Sequence, residues 1–375
     1  MILILHNRYR AAGGEERAVA DLADLLGRRG HEVEVLERSS RGLSRRRAAE
    51  GMLSGGLRPE EIDHLVRARG ARVVHAHNIH PTLGWRALAA ARSAGARTVL
   101  HLHNYRLFCA IGIAYRDGSP CFRCRQGRTL PGLRLRCRGS VPEAAVYAVA
   151  LHRQQPRLVE HVDRFVAVSD ALAAHLRDLG LPASLTATLP NFLPDVDFAS
   201  ESHADAGEFV LAAGRLVEEK GFDTAIAAAR AAGAPIVIAG EGPDEERLRA
   251  LGADGDVRFV GRVEPAELAA LRRRAGAVLA PSRWEEPWPY SVLEAMGAGV
   301  PVLASDRGGL PELVGARATL PAGDHIAWAG VLSQLWRDPA LRARRGAEAL
   351  ARARERFAED PYYAGLMRVY GDVSP

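Results

Sequence analysis

Lysine is almost missing from this chain. Of its 50 basic residues, 49 are arginine and one, Lys220, is lysine. A GC-rich genome produces that bias without functional cause, yet it leaves one place where a flexible ammonium stands instead of a guanidinium fork. Long apolar runs are lacking too. None approaches the ~20 residues that a membrane span needs, and residues 1–5 are shorter than the roughly 7–15-residue core of a secretory signal. The expected location is therefore the cytoplasm, with the inner face of the membrane as a candidate surface. Aromatics make up only 6% of the residues, and none interleaves with the arginines as in nucleic-acid-binding modules, so no nucleic-acid partner is expected. With 47% hydrophobic and 25% charged residues, whole-chain disorder, collagen and coiled coil are excluded.

What is present fits two globular domains, at roughly 100–200 residues each for a 375-residue chain. Charge divides unevenly between them. Residues 1–195 hold 29 basic against 18 acidic side chains, and residues 196–375 hold 21 against 27. The first half, at +11, is suited to an anionic partner such as a lipid phosphate or an acidic membrane surface.

Short apolar segments alternate with amphipathic ones, which predicts parallel sheets covered by helices. Strands are expected at 1–6, 33–36, 73–77, 98–103, 165–168 and 186–189, then at 209–213, 236–239, 257–260, 278–280 and 302–304. The polar stretch 194–208 marks the boundary between an N-terminal domain at 1–195 and a C-terminal one at 205–358. A final helix within 359–375 carries Tyr362, Leu366, Met367 and Tyr370 on one side, suited to packing back on the first domain. Ligands of such sheets sit at the strand C-termini.

Four segments of the second half carry chemistry. Gly214-Arg215-Leu216-Val217-Glu218-Glu219-Lys220-Gly221 places two cations at a strand-to-helix turn, where they suit a diphosphate or simply face solvent. Gly240-Glu241-Gly242-Pro243 lacks the third glycine of a dinucleotide fingerprint, which argues against a nicotinamide or flavin site. In residues 281–296, Pro287 and Pro289 delay helix formation to about Tyr290. Glu286 then lies in a loop and Glu294 in the first helical turns, with N–H groups near Ser291, Val292 and Leu293 open to an anion. Glu294 suits two ribose hydroxyls and Glu286 a sugar. A helix-dipole role for Glu294, with Trp284 and Trp288 as core, fits equally. Ser305-Asp306-Arg307-Gly308-Gly309 reads as a strand-to-helix turn.

In order and spacing these segments, with Val260-Gly261-Arg262-Val263 and the E-x7-E pair Glu286 and Glu294, resemble the nucleotide-sugar domain of family-4 glycosyltransferases of the GT-B fold. The first half adds Gly13-Gly14-Glu15, Gly30-His31-Glu32-Val33, His75-Ala76-His77-Asn78, His101-Leu102-His103-Asn104, Ala167-Val168-Ser169 and Leu189-Pro190-Asn191, so the resemblance spans nearly all of residues 1–375. It implies an α/β chain of two doubly wound, Rossmann-like domains facing a central cleft, the first binding the acceptor and the second a nucleotide sugar. It implies that Arg215 and Lys220 bind the donor diphosphate, Glu294 the ribose and Glu286 the transferred sugar. Backbone at Ser291, Val292 and Leu293 would contact phosphate, Arg262 and Val263 would lie beside the base, Gly14 would line the opposite side, and His103 would sit at the sugar's reactive face. His103, Glu286, Arg215 and Lys220 are thus the candidate catalytic residues. The implied reaction retains anomeric configuration, needs no metal or other cofactor for catalysis, and uses a UDP- or GDP-sugar and a hydroxyl acceptor such as a polysaccharide, a lipid-linked glycan or a natural product. Where the family often has Gly-Phe-Gly after the first glutamate, this chain has Pro287-Trp288-Pro289, which leaves the sugar open. A sugar-nucleotide epimerase of the same fold and a non-catalytic nucleotide-sugar-binding regulator are the other readings. The E-x7-E pair with Arg215 and Lys220 argues against the epimerase, and a regulator would bind donor without hydrolysing it.

All four cysteines fall in one glycine-rich insertion at about 105–140, as Cys109, Cys121, Cys124 and Cys137. Disulfides are not expected in the cytoplasm. The C-x11-C-x2-C-x12-C spacing fits a structural zinc, with an iron–sulfur cluster or four unligated thiols as alternatives. Some members of the resembled family carry a comparable insertion. Arg116, Arg123, Arg125, Arg128, Arg134, Arg136 and Arg138 make it basic, suited to an anionic acceptor or the membrane surface. Residues 141–151 fit an interfacial helix or an ordinary core helix. His75, His77, His101 and His103 alternate along two strands, which puts each pair on one face as cleft residues or as metal ligands.

Overall fold

The structure is a computed structural model and describes residues 1–9 and 13–371. The chain divides into two compact units. The first comprises Met1–Ala114, Cys121–Pro190 and Tyr363 onward; the second comprises Tyr115–Pro120 and Asn191–Tyr362. The division thus falls a few residues before the expected 195. The reason is local: Leu193 N–H donates to Phe357 O at 2.8 Å and Asp195 N–H to the Glu359 carboxylate at 3.0 Å, which ties residues 191–195 to the second unit. The final helix is likewise split, since Tyr362 stacks on Phe192 of the second unit while Tyr363 and Tyr370 bond His31 and His75 of the first.

Unit 1 runs β1 (Ile2–Arg8), α1 (Gly14–Arg28), β2 (Val33–Ser39), α2 (Arg45–Ser54), α3 (Pro59–Arg69), β3 (Val73–Ala76), α4 (Gly84–Ser93) and β4 (Arg97–Leu102). An insertion follows with a two-residue hairpin, β5 (Tyr115–Arg116) and β6 (Ser119–Pro120), which belongs to unit 2, and a short α5 (Leu130–Arg134). Then come α6 (Val141–His161), β7 (Arg164–Ala167), α7 (Asp170–Leu179) and β8 (Thr186–Thr188). The six long strands form one parallel sheet in the order β2-β1-β3-β4-β7-β8. Burial on both faces explains the unbroken apolar strands: every residue of β3 is buried, as are the first six of β1. Edge strand β2 runs three residues beyond its apolar core because Arg38 is drawn inward, where its guanidinium donates to the carbonyls of Leu57, Thr82 and Arg58. Helix α1 buries Ala18, Val19, Leu22, Leu25 and Leu26 along one stripe. Helix α6 spends its apolar residues on α2, α4 and α5, burying Ala144, Ala148, Leu151 and Leu158.

Unit 2 repeats the pattern with β9 (Phe209–Ala213), α8 (Phe222–Ala232), β10 (Ile236–Ala239), α9 (Glu245–Gly252), β11 (Val257–Gly261), α10 (Pro265–Arg274), β12 (Ala275–Ala280), α11 (Tyr290–Gly297), β13 (Val302–Ser305), α12 (Leu310–Val314) and β14 (Thr319–Leu320). Its sheet is also parallel, in the order β11-β10-β9-β12-β13-β14. Helices α13 (His325–Arg337), α14 (Pro339–Phe357) and α15 (Glu359–Tyr370) end the chain. Each sheet reverses its strand order once, between β1 and β3 in unit 1 and between β9 and β12 in unit 2. Such switch points open a crevice beyond the strand C-termini.

Candidate active site

Each switch point holds a cavity. In unit 2 a recess lies past the ends of β9 and β12, lined by Lys220, Arg272, Ser282, Glu286, Ser291 and Val292 among others. Lys220 closes the short turn before α8, and its Nζ lies 2.8 Å from both carboxylate oxygens of Glu286. Ser282 Oγ and Trp284 Nε1 donate to Glu286 Oε2 at 2.7 and 2.8 Å. The carboxyl group is thereby buried and fixed in direction. The glycines of this site serve close packing. Gly221 holds φ +68° with its α-carbon against the Pro281 carbonyl, and Gly308 holds φ +55° against the Glu286 backbone. A Cβ at either would overlap main chain, so Gly308 and Gly309 make a bed for Glu286, whose carbonyl accepts the Gly309 N–H at 2.7 Å.

The remaining expected donor contacts are placed unevenly. Glu294, in the second turn of α11, bonds the buried guanidinium of Arg272, itself a lining residue that the sequence reading missed. Val292 and Leu293 do not offer open N–H groups. Both donate to the Pro289 carbonyl, at 3.1 and 3.3 Å, and the Leu293 side chain is core. The helix starts one residue past Pro289, so among the described residues it is the Ser291 N–H that has no backbone partner. Arg215 is exposed and paired with Glu219 at 3.3 Å, and Arg262 and Val263 follow the end of β11; none of these three lines the cavity. Trp288 packs edge-on against Phe357 as core.

In unit 1 a small recess lies past β1, β3 and β4, lined by Tyr9, Glu15, His77, His103, Asn104 and Arg106 among others. Gly14 begins α1 beside it and is exposed. His103 Nε2 and His77 Nδ1 are 2.9 Å apart. Burial takes these imidazoles down, His101 to about 3, His80 to about 4, and His75, His77 and His103 well below the ordinary value. Two neutral rings sharing one bond need one proton between them. His77 Nε2 is buried without a partner, so the cheaper arrangement puts the proton on His77 Nδ1, donating to His103. The ring nitrogens of His75, His77 and His101 lie within 4.8 Å of one another. The rings are stacked, however, with centroids 4.7 and 5.4 Å apart and planes within 29°. A metal lies in the plane of each imidazole it binds, and stacked planes send their lone pairs side by side. The trio is a packed column.

The cysteines of the insertion are half-buried, and none forms a disulfide. Burial, with Cys109, Cys137 and Cys121 nearby, pushes the Cys124 thiol up to about 11. Four sulfurs are the right donor set for zinc. Ligation at about 2.3 Å would bring them to about 3.8 Å apart, whereas among the described residues no three come within 4.8 Å. The set therefore fits a metal in chemistry but needs an inward movement of the loop.

The first half of the chain, residues 12–195, matches Glycosyltransferase Family 4, and residues 195–352 match Glycosyl transferases group 1. The chain is a glycosyltransferase of the GT-B fold. It is 28% identical to a D-inositol 3-phosphate glycosyltransferase of Actinosynnema mirum over 96% of this chain and 93% of that one. Its fold is that of the sucrose-phosphate synthase of Thermosynechococcus elongatus, with TM-score 0.73, 19% identity and coverage of 99% and 98%. The Anabaena protein HepE, solved in complex with UDP, shares the fold at TM-score 0.67 and 19% identity over 99% and 100%. The glycosyltransferase thus carries one switch-point cavity per unit, and no helix among the described residues is long and apolar enough to cross a membrane.

Proposed function

We propose that this glycosyltransferase moves a hexosyl group from a nucleoside diphosphate donor to a hydroxyl acceptor with retention of configuration. The observation that carries the donor side is the Lys220–Glu286 pair in the unit 2 cavity, beside the Ser291 N–H. A diphosphate oxygen is the natural competitor for the ammonium, and sugar hydroxyls are natural donors to the carboxylate. Arg215, exposed on the same turn, adds a second cation. Glu294, oriented by Arg272, is assigned to the ribose; Arg262 and Val263 to the base; Gly14 and His103 to the sugar's other side. UDP is the leading nucleotide, since HepE, which shares the fold, binds it; GDP is the second.

In the proposed reaction the bond from anomeric carbon to phosphate oxygen breaks and its electron pair stays on the diphosphate. The acceptor oxygen bonds the anomeric carbon from the same face, and its proton passes to the departing phosphate oxygen. Charge therefore grows on the diphosphate, where fixed cations lower the barrier most. Those cations do the work for which other enzymes use a divalent ion, so turnover should survive chelation. The Actinosynnema relative is named for inositol 3-phosphate, which makes a phosphorylated polyol the leading acceptor class. Donor hydrolysis assayed with and without chelator tests this reading: released sugar with retained configuration supports it, and a released epimer contradicts it.

Two further assignments concern the insertion. Cys109, Cys121, Cys124 and Cys137 are assigned to a structural zinc. The segment has only two-residue strands and a five-residue helix, and it holds Ala114, Asp117, Gln126 and Arg136 at left-handed φ, so it has little else to hold its shape. Its exposed Arg123, Arg125, Arg128, Arg134 and Arg136 are assigned to an anionic acceptor or a lipid headgroup surface. Binding to anionic vesicles that is unchanged between low and high salt would contradict that electrostatic role.

A further inference from the structure

The cysteine-bearing insertion sends its hairpin to the Lys220 turn. Residues Tyr115–Pro120 belong to unit 2, although Ala114 and Cys121, whose 2.7 Å backbone bond closes the hairpin, belong to unit 1. Residues 117–120 are exposed and Arg116 is half-buried, but Tyr115 is only 5% exposed. A Cβ on Gly118 would stand 3.5 Å from Glu218 Oε1, so the hairpin lies against the turn that ends in Lys220. The charged groups acting on the Tyr115 phenol are Glu218, Arg283, Glu219 and Asp223. All four belong to that turn, to the start of α8, or to the loop bonded to them.

Two buried polar atoms of this neighbourhood are unpaired among the described residues: the Tyr115 hydroxyl and Asp223 Oδ1. They are complementary. Burial and Glu218 raise the phenol, so it keeps its proton and can only gain by donating it. Asp223 Oδ2 is already taken by the Arg283 guanidinium at 2.8 Å, with Arg247 at 3.6 Å, which leaves Oδ1 as the open acceptor. The Arg283 N–H in turn holds the Glu219 carbonyl at 2.8 Å, one residue before Lys220. Asp223 therefore buttresses, through Arg283, the turn that presents the ammonium. A donor and an acceptor buried without partners are costly, and a bound state that joins them recovers that cost.

We propose that Tyr115 is a positioning residue for the donor: when a nucleoside diphosphate engages Lys220, the β5–β6 hairpin closes on α8, Tyr115 Oη donates to Asp223 Oδ1, and the Lys220 turn is fixed. The proposal rests on the donor reading above and deepens it, since it gives the insertion a part in donor binding.

The test measures UDP and GDP binding to the full chain, and melting without nucleotide, in wild type, Tyr115→Phe, Asp223→Ala and the double variant. Tyr115→Phe removes a hydroxyl that has no partner in the free chain. Its melting temperature without nucleotide is expected to equal or exceed that of wild type, while its nucleotide affinity falls about fivefold. A purely structural role would instead lower the melting temperature. In the Asp223→Ala background the acceptor is gone, so Tyr115→Phe is expected to change affinity by less than about twofold. A lower melting temperature of Tyr115→Phe without nucleotide, wild-type affinity in that variant, or the same fivefold loss (roughly) in the Asp223→Ala background overturns the proposal. The comparison of Tyr115→Phe with wild type holds even where Asp223→Ala fails to fold. A wild type that binds neither nucleotide overturns the donor reading and this proposal together, whereas wild-type binding that Tyr115→Phe leaves unchanged overturns this proposal alone.

Discussion

Lys220 Nζ lies 2.8 Å from each carboxylate oxygen of Glu286, and the two residues are 66 positions apart in the chain. The pair joins the turn before α8 to the loop before α11, across the switch point of the unit 2 sheet. The ammonium also sits 5.5 Å from the Trp284 ring centroid. A compact cation fits there between carboxylate, ring and the tightly packed Gly221.

Lys220→Ala should therefore lower turnover at saturating donor by one to three orders of magnitude, the usual cost of losing one partner of the transition-state charge. Lys220→Arg should fall well short of wild type, because the longer planar head must displace Trp284 or Glu286. Steady-state kinetics on purified variants with matched melting curves check both. Unchanged turnover in Lys220→Ala would remove Lys220 from the mechanism.

Arg272 and Glu294 form a second pair, with side chains only 10% and 16% exposed. Arg272→Gln leaves the carboxylate without its cation and should both lower the melting temperature and weaken donor binding. Adding Glu294→Gln should restore much of the stability, since the unpaired charge is gone, but not the donor affinity. Thermal melts with and without UDP separate the two effects.

Glu15 and Glu16 give stability opposite pH dependences. Burial holds the Glu15 carboxyl near 7 against an ordinary value of 4.5. The folded chain keeps that proton where the unfolded chain has lost it, so stability falls as pH rises from about 4.5 through 7, by roughly 3 kcal/mol at most. Glu16 runs the other way. Burial opposes its charge, but the His6 imidazole and the N–H groups of Tyr9 and Gly13 bring it to about 2. Its contribution is present above 4.5 and is lost as pH falls toward 2. The difference in stability between wild type and Glu15→Gln across pH 4–8 should show the first slope, because the buried histidines, whose own slope runs the other way below about 6.5, are common to both.

Metal analysis of protein purified without chelator should find about one zinc per chain, following the four-sulfur donor set. Less than roughly 0.2 equivalents of zinc and of iron would remove the site. Cys124→Ser should then lower the melting temperature only in the zinc-loaded protein.

Much of this was legible in the sequence where local pattern and site coincide. Fully buried parallel strands such as β3 and β10 announce themselves as short apolar runs, and Lys220, Glu286 and the Gly308-Gly309 turn stand out because their residue types are rare or conformationally special. What escaped depends on long-range placement. Arg272 reads as one of three arginines at a helix C-terminus, and only the fold turns it toward Glu294. Glu15 reads as an ordinary first-turn acid, and its burial comes from Tyr9 and from Asn104, 89 residues away. The open amides were expected at Ser291, Val292 and Leu293, but turn geometry after Pro289 closes two of the three.

The central claim is retaining transfer from a nucleoside diphosphate sugar held by Lys220 and Glu286. The most direct measurement is a time-resolved proton NMR spectrum of the sugar released when wild type and Lys220→Ala are incubated with a panel of UDP- and GDP-sugars. The wild type should consume one donor, with the released sugar appearing first as the donor's own anomer, and Lys220→Ala should consume it at least tenfold more slowly. First appearance of the opposite anomer or of an epimer, or equal rates in the two proteins, would contradict it.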